Sequence, residues 1–289
     1  MIRHLFLIAL LLLQSKTVSL GDWESIAATA QGKVRAAAVL LETGETREMN
    51  ADSRFPMQSV YKFPIAMAVL HAVDEKIFAL DGEILVRKSD LVAQSFRSPL
   101  RDRYPQGNVS LPLREILRLA VSESDGTASD VLLRLAGGGE KVTAYLRGLG
   151  VDEISVATSE TEMAQAQDVQ YRNWATPRGA VKLLRVFFQE KGLSASSHAL
   201  LLQWMTETTT GMHRLKGLLP AAAVVTHKTG TSGTVNGFSA ATNDIGVITL
   251  PDGRHIAIAV FVSDARADEP TREAAIAQIA KSAWDYWAH

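Results

Sequence analysis

Residues 59–62 read Ser59-Val60-Tyr61-Lys62, and the rest of the chain is organised around this stretch. A serine and a lysine three positions apart lie on the same face of a helix. The serine hydroxyl is a nucleophile, and a lysine amine whose pKa is lowered can take its proton. The spacing is common in helix-rich proteins, where it often pairs a capping serine with a solvated lysine. Its meaning therefore depends on the other motifs of the chain.

The flanking residues place the start of a helix close to the serine. Pro56 precedes the stretch, and an apolar pattern over 65–73 continues it as a helix. Pro64 would remove a backbone hydrogen bond from a helix interior, so the helix must begin close to Ser59. A helix that begins there leaves the Ser59 N–H without an intrahelical acceptor, ready to bind a developing anion.

Composition excludes several classes of function. The chain has 289 residues, of which 47% are hydrophobic and 21% charged, as in a globular protein with a substantial core. Thirty basic and thirty-one acidic side chains leave a net charge of -1, which argues against a nucleic-acid partner. The absence of cysteine excludes disulfides and thiolate chemistry. Histidines and carboxylates show no metal-ligand spacing, so we expect neither a metal nor another cofactor.

The N-terminus has the pattern of a secretory signal peptide. Arg3 and His4 precede an apolar run over 5–13, which is too short to span a bilayer as a mature helix. We predict a signal peptide at 1–20, cleaved between about Ser15 and Gly21; a buried N-terminal helix is the alternative. The mature protein is then expected to be exported, periplasmic or secreted, and free of the membrane.

Strand-like and helical patterns divide the chain into three parts. The predicted strands are 34–41 with a partner ending near Met49, then 224–229, 240–250 and 255–262, and the terminal helices are 21–31 and 270–287. Between Asp74 and about Trp204 we predict helices and loops without strands, including a helix capped by Ser110. The expected fold is therefore α/β, with a five-stranded antiparallel sheet flanked by helices plus an all-α lobe.

The order of these elements predicts two lobes. Residues 21–58 and 206–289 would form the α/β lobe, and 59–205 the all-α lobe. A polar stretch over 158–174 is long for a loop in a compact domain, and loops of that length are often functional. A cleft between the lobes is a natural place for a substrate.

Two further motifs follow the first in a characteristic order. Ser124-Asp125-Gly126 lies in a turn between helices, 65 residues after Ser59, and Lys228-Thr229-Gly230 ends a strand 104 residues after Ser124. Each motif is weak alone. Together they match the motif set of class A β-lactamases and penicillin-binding proteins.

The chain resembles a class A serine β-lactamase, most closely the PER-type extended-spectrum branch. The resemblance covers nearly the whole chain after the signal peptide and includes the stretches 55–60, 170–174, 207–211, 227–233 and 240–244. It implies hydrolysis of the lactam amide of penicillins and cephalosporins, extended-spectrum cephalosporins included, through a covalent acyl-enzyme. It also implies a monomer whose partner is the small β-lactam substrate.

The resemblance assigns roles to the motif residues. Ser59 would be acylated, Lys62 would help to deprotonate it, and Ser124 would relay a proton to the leaving lactam nitrogen. The backbone N–H groups of Ser59 and Thr231 would form the oxyanion hole. The predicted substrate-binding residues are Gly126, Arg214, Lys228, Thr229, Gly230, Thr231 and Ser232.

Hydrolysis of the acyl-enzyme needs a base, and the long loop offers Glu160 and Glu162. We predict Glu160, because the family places its catalytic glutamate seventeen residues before the proline that opens the next helix, here Pro177. The alternative is Glu162. A carboxylate in either position could also be a solvated loop charge.

Several positions depart from the family pattern. Ala164 and Gly126 stand where most members have asparagines that contact the hydrolytic water and the substrate side chain. Thr158 and Asn173 replace the usual ion pair of the loop, so we expect an altered loop and a wider cleft. Arg214 is predicted to supply the guanidinium that the strand after Lys228 lacks. Arg97 replaces an aromatic platform, and His227 is predicted to be a strand residue rather than a catalyst.

Two other functions share most of these residues. A cell-wall transpeptidase or carboxypeptidase would use Ser59, Lys62, Ser124 and Lys228 in the same roles, but such enzymes lack the loop glutamate and most carry a membrane anchor. A non-hydrolytic β-lactam sensor would acylate and stay acylated, which Ala164 would favour.

Overall fold

The computed structural model describes residues 21–288, so the predicted signal peptide at 1–20 lies outside the described residues. The strands in chain order are β1 (Lys33–Leu40), β2 (Thr46–Met49), β3 (Phe55–Pro56), β4 (Glu83–Val86), β5 (Val109–Pro112), β6 (Ile154–Ser155), β7 (Trp174–Ala175), β8 (Val224–Thr231), β9 (Thr234–Val235), β10 (Phe238–Ser239), β11 (Thr242–Thr249) and β12 (His255–Ser263). The α-helices are α1 (Gly21–Thr29), α2 (Lys62–Asp74), α3 (Pro99–Arg103), α4 (Leu113–Ser122), α5 (Gly126–Leu135), α6 (Gly139–Gly148), α7 (Glu160–Met163), α8 (Pro177–Phe188), α9 (Ala195–Thr206) and α10 (Glu269–Trp287).

The main sheet has five antiparallel strands in the order β2-β1-β12-β11-β8, which confirms the predicted fold class. It joins the two ends of the chain, because β1 pairs with β12 from Lys33 opposite Ser263 to Leu40 opposite Ile256. Strand β8 forms one edge, where Thr231 pairs with Thr242 of β11. The last residues of β8 therefore lie at an open edge of the sheet.

Both faces of this sheet are buried. Successive residues of β12 alternate between them, as a strand requires. Ile256 and Ile258 join the apolar cluster that includes Trp23 of α1 and the inner side of α10. Ala257 and Phe261 join the larger cluster of the helical part, against which α8 also packs. Burial on both faces explains why β12 reads as a nearly continuous apolar run.

Helix α2 is at the centre of the helical part and contacts α4, α5, α6 and α9. It follows a 3₁₀ turn over Gln58–Tyr61 and begins at Lys62. Pro64 therefore lies in the first turn of α2, where a missing N–H removes no intrahelical bond. This agrees with the prediction that the helix begins close to Ser59. None of the helices within 21–288 is long and apolar enough to cross a membrane.

The prediction of a strand-free middle segment is wrong. Strands β4 and β5 pair with each other, and β7 lies between β3 and β6 in a small sheet. These strands have two to four residues, too few to show a period in the sequence. Ser110 lies in β5 and caps no helix; α4 begins at Leu113, directly after Pro112.

The helix expected to open at Pro177 is confirmed. Thr176 accepts a hydrogen bond from the Gly179 N–H, and Pro177 occupies the first turn of α8. Helix α8 then packs against β12 and β1. This contact fixes the end of the polar 158–174 stretch, from here on the catalytic loop, relative to the main sheet.

Candidate active site

Ser59 is held at the junction of the sheet and the helical part by its neighbours in the chain. Gln58 has a φ of +47°, in the left-handed region that is unfavourable for a residue with a side chain. Its Nε2 donates to Gln170 Oε1 of the catalytic loop at 2.5 Å. From the sheet, Asn243 Nδ2 donates to the carbonyl oxygens of Pro56 at 2.8 Å and Met57 at 3.2 Å. Contacts from both sides thus fix the turn that carries the nucleophile.

Gly230 of β8 makes room for this turn. A β-carbon at Gly230 would collide with the Met57 carbonyl oxygen, so any other residue would push β8 away from Ser59. Gly230 therefore acts through its lack of a side chain.

Lys62 connects the catalytic candidates. Its Nζ lies 2.8 Å from Ser59 Oγ, 2.9 Å from the Ser124 carbonyl oxygen and 2.7 Å from Glu160 Oε1. The side chains of Lys62 and Glu160 are only 2% and 3% exposed. A buried ammonium and a buried carboxylate stabilise each other's charge, and here one amine contacts both the nucleophile and the loop glutamate.

The second serine–lysine pair lies on the opposite wall. Lys228 Nζ donates to Ser124 Oγ at 3.0 Å and to the Thr229 carbonyl oxygen at 3.1 Å. Burial lowers the pKa of the Lys228 ammonium well below its usual range, and the positive charge of Lys62 lowers it further. Ser124 has a φ of +58°, and the buried Asp125 beside it caps α5 by accepting from the Ala128 N–H. The cap holds Ser124 in its unfavourable conformation.

The structure separates the two loop glutamates. Glu160 lines the cleft next to Ser59, whereas Glu162 forms a capping box with Ser159 at the start of α7. Glu162 Oε2 accepts from the Ser159 N–H at 2.8 Å, and its residue is exposed. The geometry therefore favours Glu160 as the base over the alternative that the sequence left open.

Asp130 is a site residue that the sequence analysis missed. Its carboxylate accepts from the Glu160 N–H at 2.8 Å and from the Thr161 N–H and Oγ1 at 3.0 and 2.8 Å. Burial raises the pKa of Asp130 to about 6, although these donors lower it. One signal was present in the sequence: Asp130 lies one helical turn after Gly126, on the same face of α5.

Asn173 takes the place of the missing ion pair at the base of the catalytic loop. Its fully buried amide accepts from the N–H groups of Ala157 and Thr158 at 2.7 and 3.0 Å, and donates to the Thr158 carbonyl oxygen at 2.8 Å. The loop is therefore closed by three neutral hydrogen bonds to the backbone. Thr158 Oγ1 is buried and has no partner within 21–288.

Arg214 reaches the end of β8 from the segment after α9. Its guanidinium donates to Thr231 Oγ1 at 2.7 Å, to the Gly230 and Asn243 carbonyl oxygens at 3.2 and 3.0 Å, and to Glu273 Oε1 at 2.9 Å. Arg214 is 3% exposed and stands behind Thr231 rather than in the cleft wall. It can act on a bound anion through its charge and through the Thr231 hydroxyl.

These residues surround a cleft of about 690 Å³. Glu160 is the only carboxylate that lines it within 21–288, and Thr229, Thr231 and Ser232 form the wall along β8. Gly126 lies behind the wall, where its N–H donates to the Arg97 carbonyl oxygen at 2.8 Å. The wall of the cleft along β8 therefore presents hydroxyl groups. The catalytic loop contributes one carboxylate with glutamine and small apolar side chains, and Phe96 and Arg97 also line the cleft.

The described residues hold no group of three or more histidine, cysteine or acidic side chains placed to bind a metal ion. His227 is fully buried and its Nδ1 contacts Asp244, away from the cleft lining. This arrangement can carry out acyl transfer. It offers a hydroxyl nucleophile hydrogen-bonded to an amine, a second hydroxyl–ammonium pair on the opposite wall, and a carboxylate within reach of water.

A Ser-Lys nucleophile pair between a helical lobe and a five-stranded antiparallel sheet, with a glutamate brought in by a loop, defines the class A serine β-lactamases. The chain matches the sequence profile of the beta-lactamase enzyme family over residues 22–287 and belongs to that family. It is a serine hydrolase that acts on the cyclic amide of β-lactams.

Individual relatives support this membership. The chain is 44% identical to the extended-spectrum beta-lactamase PER-1 of Pseudomonas aeruginosa over 82% of its own length and 77% of the relative's. It is 43% identical to the beta-lactamase VEB-1 of Pseudomonas aeruginosa, over 84% and 81% of the two chains. The crystal structure of a beta-lactamase from Chitinophaga pinensis superposes with a TM-score of 0.89 at 48% identity, covering 92% of this chain and 97% of that one.

Proposed function

We propose that Ser59, Lys62, Ser124 and Glu160 carry out β-lactam hydrolysis through an acyl-enzyme. The observation that supports this most directly is the contact of Lys62 Nζ with both Ser59 Oγ and Glu160 Oε1, at 2.8 and 2.7 Å. A proton can pass along this chain of contacts without a large movement of any group. Both halves of the reaction can therefore use one buried network.

In the first half, Ser59 Oγ loses its proton to the Lys62–Glu160 pair and attacks the lactam carbonyl carbon. The N–H groups of Ser59 and Thr231 stabilise the oxyanion that forms. The carbon–nitrogen bond then breaks, and Ser124 delivers a proton to the nitrogen. The proton that the Lys62–Glu160 pair took from Ser59 replaces the one lost by Ser124, which restores Glu160 as a carboxylate. The product of this half is an ester on Ser59 whose acyl group still carries the opened ring with its amine.

In the second half, Glu160 takes a proton from a water molecule, whose oxygen attacks the ester carbon. Collapse of the tetrahedral intermediate breaks the bond to Ser59 Oγ, which recovers its proton from the network. The product is a ring-opened acid. Asp130 positions Glu160 by accepting from its backbone N–H at 2.8 Å.

We propose that the carboxylate of the substrate binds along β8. The hydroxyls of Ser124, Thr229, Thr231 and Ser232 would donate to it, while Lys228 and Arg214 supply positive charge from behind. Gly126 and Gly230 contribute through their size, because each lets a neighbouring backbone segment approach closely.

We further propose that the substrates include extended-spectrum cephalosporins. The relative PER-1 is named as an extended-spectrum enzyme, and the cleft of about 690 Å³ is bordered by small side chains where the catalytic loop passes at Ala164 and Ala166. Export after removal of residues 1–20, a soluble monomer and the division into lobes 21–58 with 206–289 and 59–205 remain proposals from the sequence.

A chromogenic cephalosporin tests the proposed function. We expect sustained hydrolysis by the purified protein, and none by Ser59→Ala. A burst that stops after one equivalent would instead indicate a β-lactam sensor. A panel of a penicillin, an oxyimino-cephalosporin and a carbapenem would then rank the substrates by kcat/KM, and a negligible rate with the oxyimino compound would refute the extended spectrum.

A further inference from the structure

A buried histidine–aspartate pair lies behind the cleft. His227 of β8 and Asp244 of β11 are both 0% exposed, and His227 Nδ1 is 2.9 Å from each oxygen of Asp244. His227 is opposite Gly246 in the strand register, and a β-carbon at Gly246 would lie 2.7 Å from that of His227. Gly246 therefore leaves space for the imidazole, because a side chain at this position of β11 would collide with His227.

The pair also reaches the segment that carries Arg214. Asp244 Oδ2 accepts from the Leu215 N–H at 3.2 Å, and Leu215 directly follows Arg214. The Arg214 guanidinium in turn donates to the Asn243 carbonyl oxygen at 3.0 Å. Two consecutive residues of β11 thus fix both the backbone after Arg214 and its guanidinium.

Hydrogen bonding indicates which partner is charged. His227 Nε2 is buried and has no partner within the described part of the chain. An imidazolium would leave an N–H donor of a charged ring unpaired there, which is costly. A neutral ring that donates from Nδ1 leaves only a lone pair unused, so Asp244 keeps the negative charge.

Two ammonium groups interact with the charge of this carboxylate, Lys228 of β8 and Lys216 of the segment after α9. The other charged groups that act on Lys228 are Lys62 of α2, Glu160 of α7 and Arg214. Arg214 in turn lies among Glu269, Arg272 and Glu273 of α10. Burial lowers the pKa of Lys228, and the charge of Asp244 raises it. Arg214 acts on the pKa of Lys228 in the opposite direction to Asp244.

We propose that Asp244, oriented by His227, is a positioning residue for carboxylate binding: it fixes the Arg214 segment and supplies the buried negative charge behind Lys228. The proposal rests on the proposed roles of Arg214 and Lys228 in holding the substrate carboxylate. Neither His227 nor Asp244 touches the cleft, so both act through other residues.

The test compares Asp244→Asn with Arg214→Ala in the hydrolysis of a penicillin from about pH 6 to about pH 10. Each variant should raise KM roughly tenfold, because each weakens one charge-assisted contact. Asp244→Asn removes a charge that raises the pKa of Lys228, so its alkaline limb of kcat/KM should move to lower pH by about half a unit or more. Arg214→Ala removes a charge that lowers the pKa of Lys228, so the alkaline limb of this variant should move to higher pH.

A purely structural role would not shift the two limbs in opposite directions. An unshifted limb in a folded Asp244→Asn variant, or a shift in the same direction as Arg214→Ala, would overturn the proposal. An unchanged KM in Arg214→Ala would refute the role of Arg214 alone, since the limb of Asp244→Asn still reports on Lys228.

Substitutions of His227 provide an independent test. His227→Leu removes the donor to Asp244, so it should raise KM and move the alkaline limb of kcat/KM to lower pH. His227→Asn keeps an N–H near the Nδ1 position, so its KM and its alkaline limb should stay close to those of wild type. Circular dichroism establishes folding, and these two variants decide the question if Asp244→Asn is unfolded. Equal behaviour of the leucine and asparagine variants, or unfolding of both Asp244→Asn and His227→Leu, would overturn the proposal.

Discussion

Replacing Glu160 with glutamine removes the only carboxylate that lines the cleft within 21–288 while keeping the size of the side chain. The amide can still accept a hydrogen bond from Lys62, which contacts Glu160 at 2.7 Å, and the backbone contact with Asp130 is unaffected. Attack by Ser59 Oγ on the lactam carbonyl carbon therefore retains the contact of Lys62 with the nucleophile. Activation of the water molecule for deacylation, by contrast, loses its general base, the Glu160 carboxylate.

The expected loss falls on deacylation. A general base contributes about 10²-fold to 10⁴-fold to a rate, and no second carboxylate of the described residues 21–288 lines the cleft to replace Glu160. We therefore expect deacylation to slow by about 10³-fold to 10⁴-fold, or about 4–5.5 kcal/mol. Acylation should slow less, so the acyl-enzyme accumulates.

Stopped-flow absorbance with a chromogenic cephalosporin measures this directly. Glu160→Gln should give a burst of one equivalent followed by a slow steady rate, and intact-protein mass spectrometry should show the adduct. Glu162→Gln is the matched control, because Glu162 is exposed and bonded to the Ser159 N–H. Wild-type turnover by Glu160→Gln, or an adduct that accumulates only in Glu162→Gln, would refute the assignment.

Three further variants test the supports of the site. Burial raises the pKa of Asp130 to about 6, against a usual 3.8, so the folded protein binds a proton more tightly than the unfolded chain. As the pH falls from about 7 to about 4, the free energy of unfolding of wild type should therefore rise by about 2–3 kcal/mol relative to that of Asp130→Asn. Urea unfolding at several pH values measures this difference, and a constant difference would contradict the prediction. Asn173→Ala leaves buried backbone groups unpaired and should lower the free energy of unfolding by about 2–4 kcal/mol, with a greater effect on deacylation than on acylation; unchanged thermal unfolding would refute this. Gly230→Ala places a β-carbon against the Met57 carbonyl oxygen and should lower kcat/KM at least roughly tenfold. Gly148→Ala is the control, because its β-carbon would meet no atom of the described residues within 4 Å. Equal activity of the two variants would count against the close approach.

Much of the site could be predicted because its reactive residues lie in short motifs at helix starts, turns and strand ends. Ser59 and Lys62 lie at a helix start, Ser124 in a turn before a helix, and Lys228 near the end of a strand. The structure brings these side chains to within hydrogen-bond distance of one another in pairs. Local rules determine such elements, so a single sequence contains the information.

The remaining contacts depend on segments that meet only in the folded protein. Asp130 and Glu160 are 30 residues apart, and nothing in either segment indicates their contact. The pairing of His227 with Asp244 follows from the register between β8 and β11, which a strand pattern alone does not determine. The prediction missed the two-residue strands beside the catalytic loop for a third reason: so short a run shows no hydrophobic period.

The way in which the main sheet joins the two ends of the chain has a consequence for the order of folding. Lys33 pairs with Ser263, 230 residues later, and β8 reaches the rest of the sheet only through β11 and β12. Contacts so distant in sequence form slowly, because the loop between them must close first. Strand β8, which carries Lys228 and Thr231, therefore joins the sheet only after nearly all of the chain has been synthesised. Activity should thus appear in a single late step, and a chain that is truncated before β12 should have none.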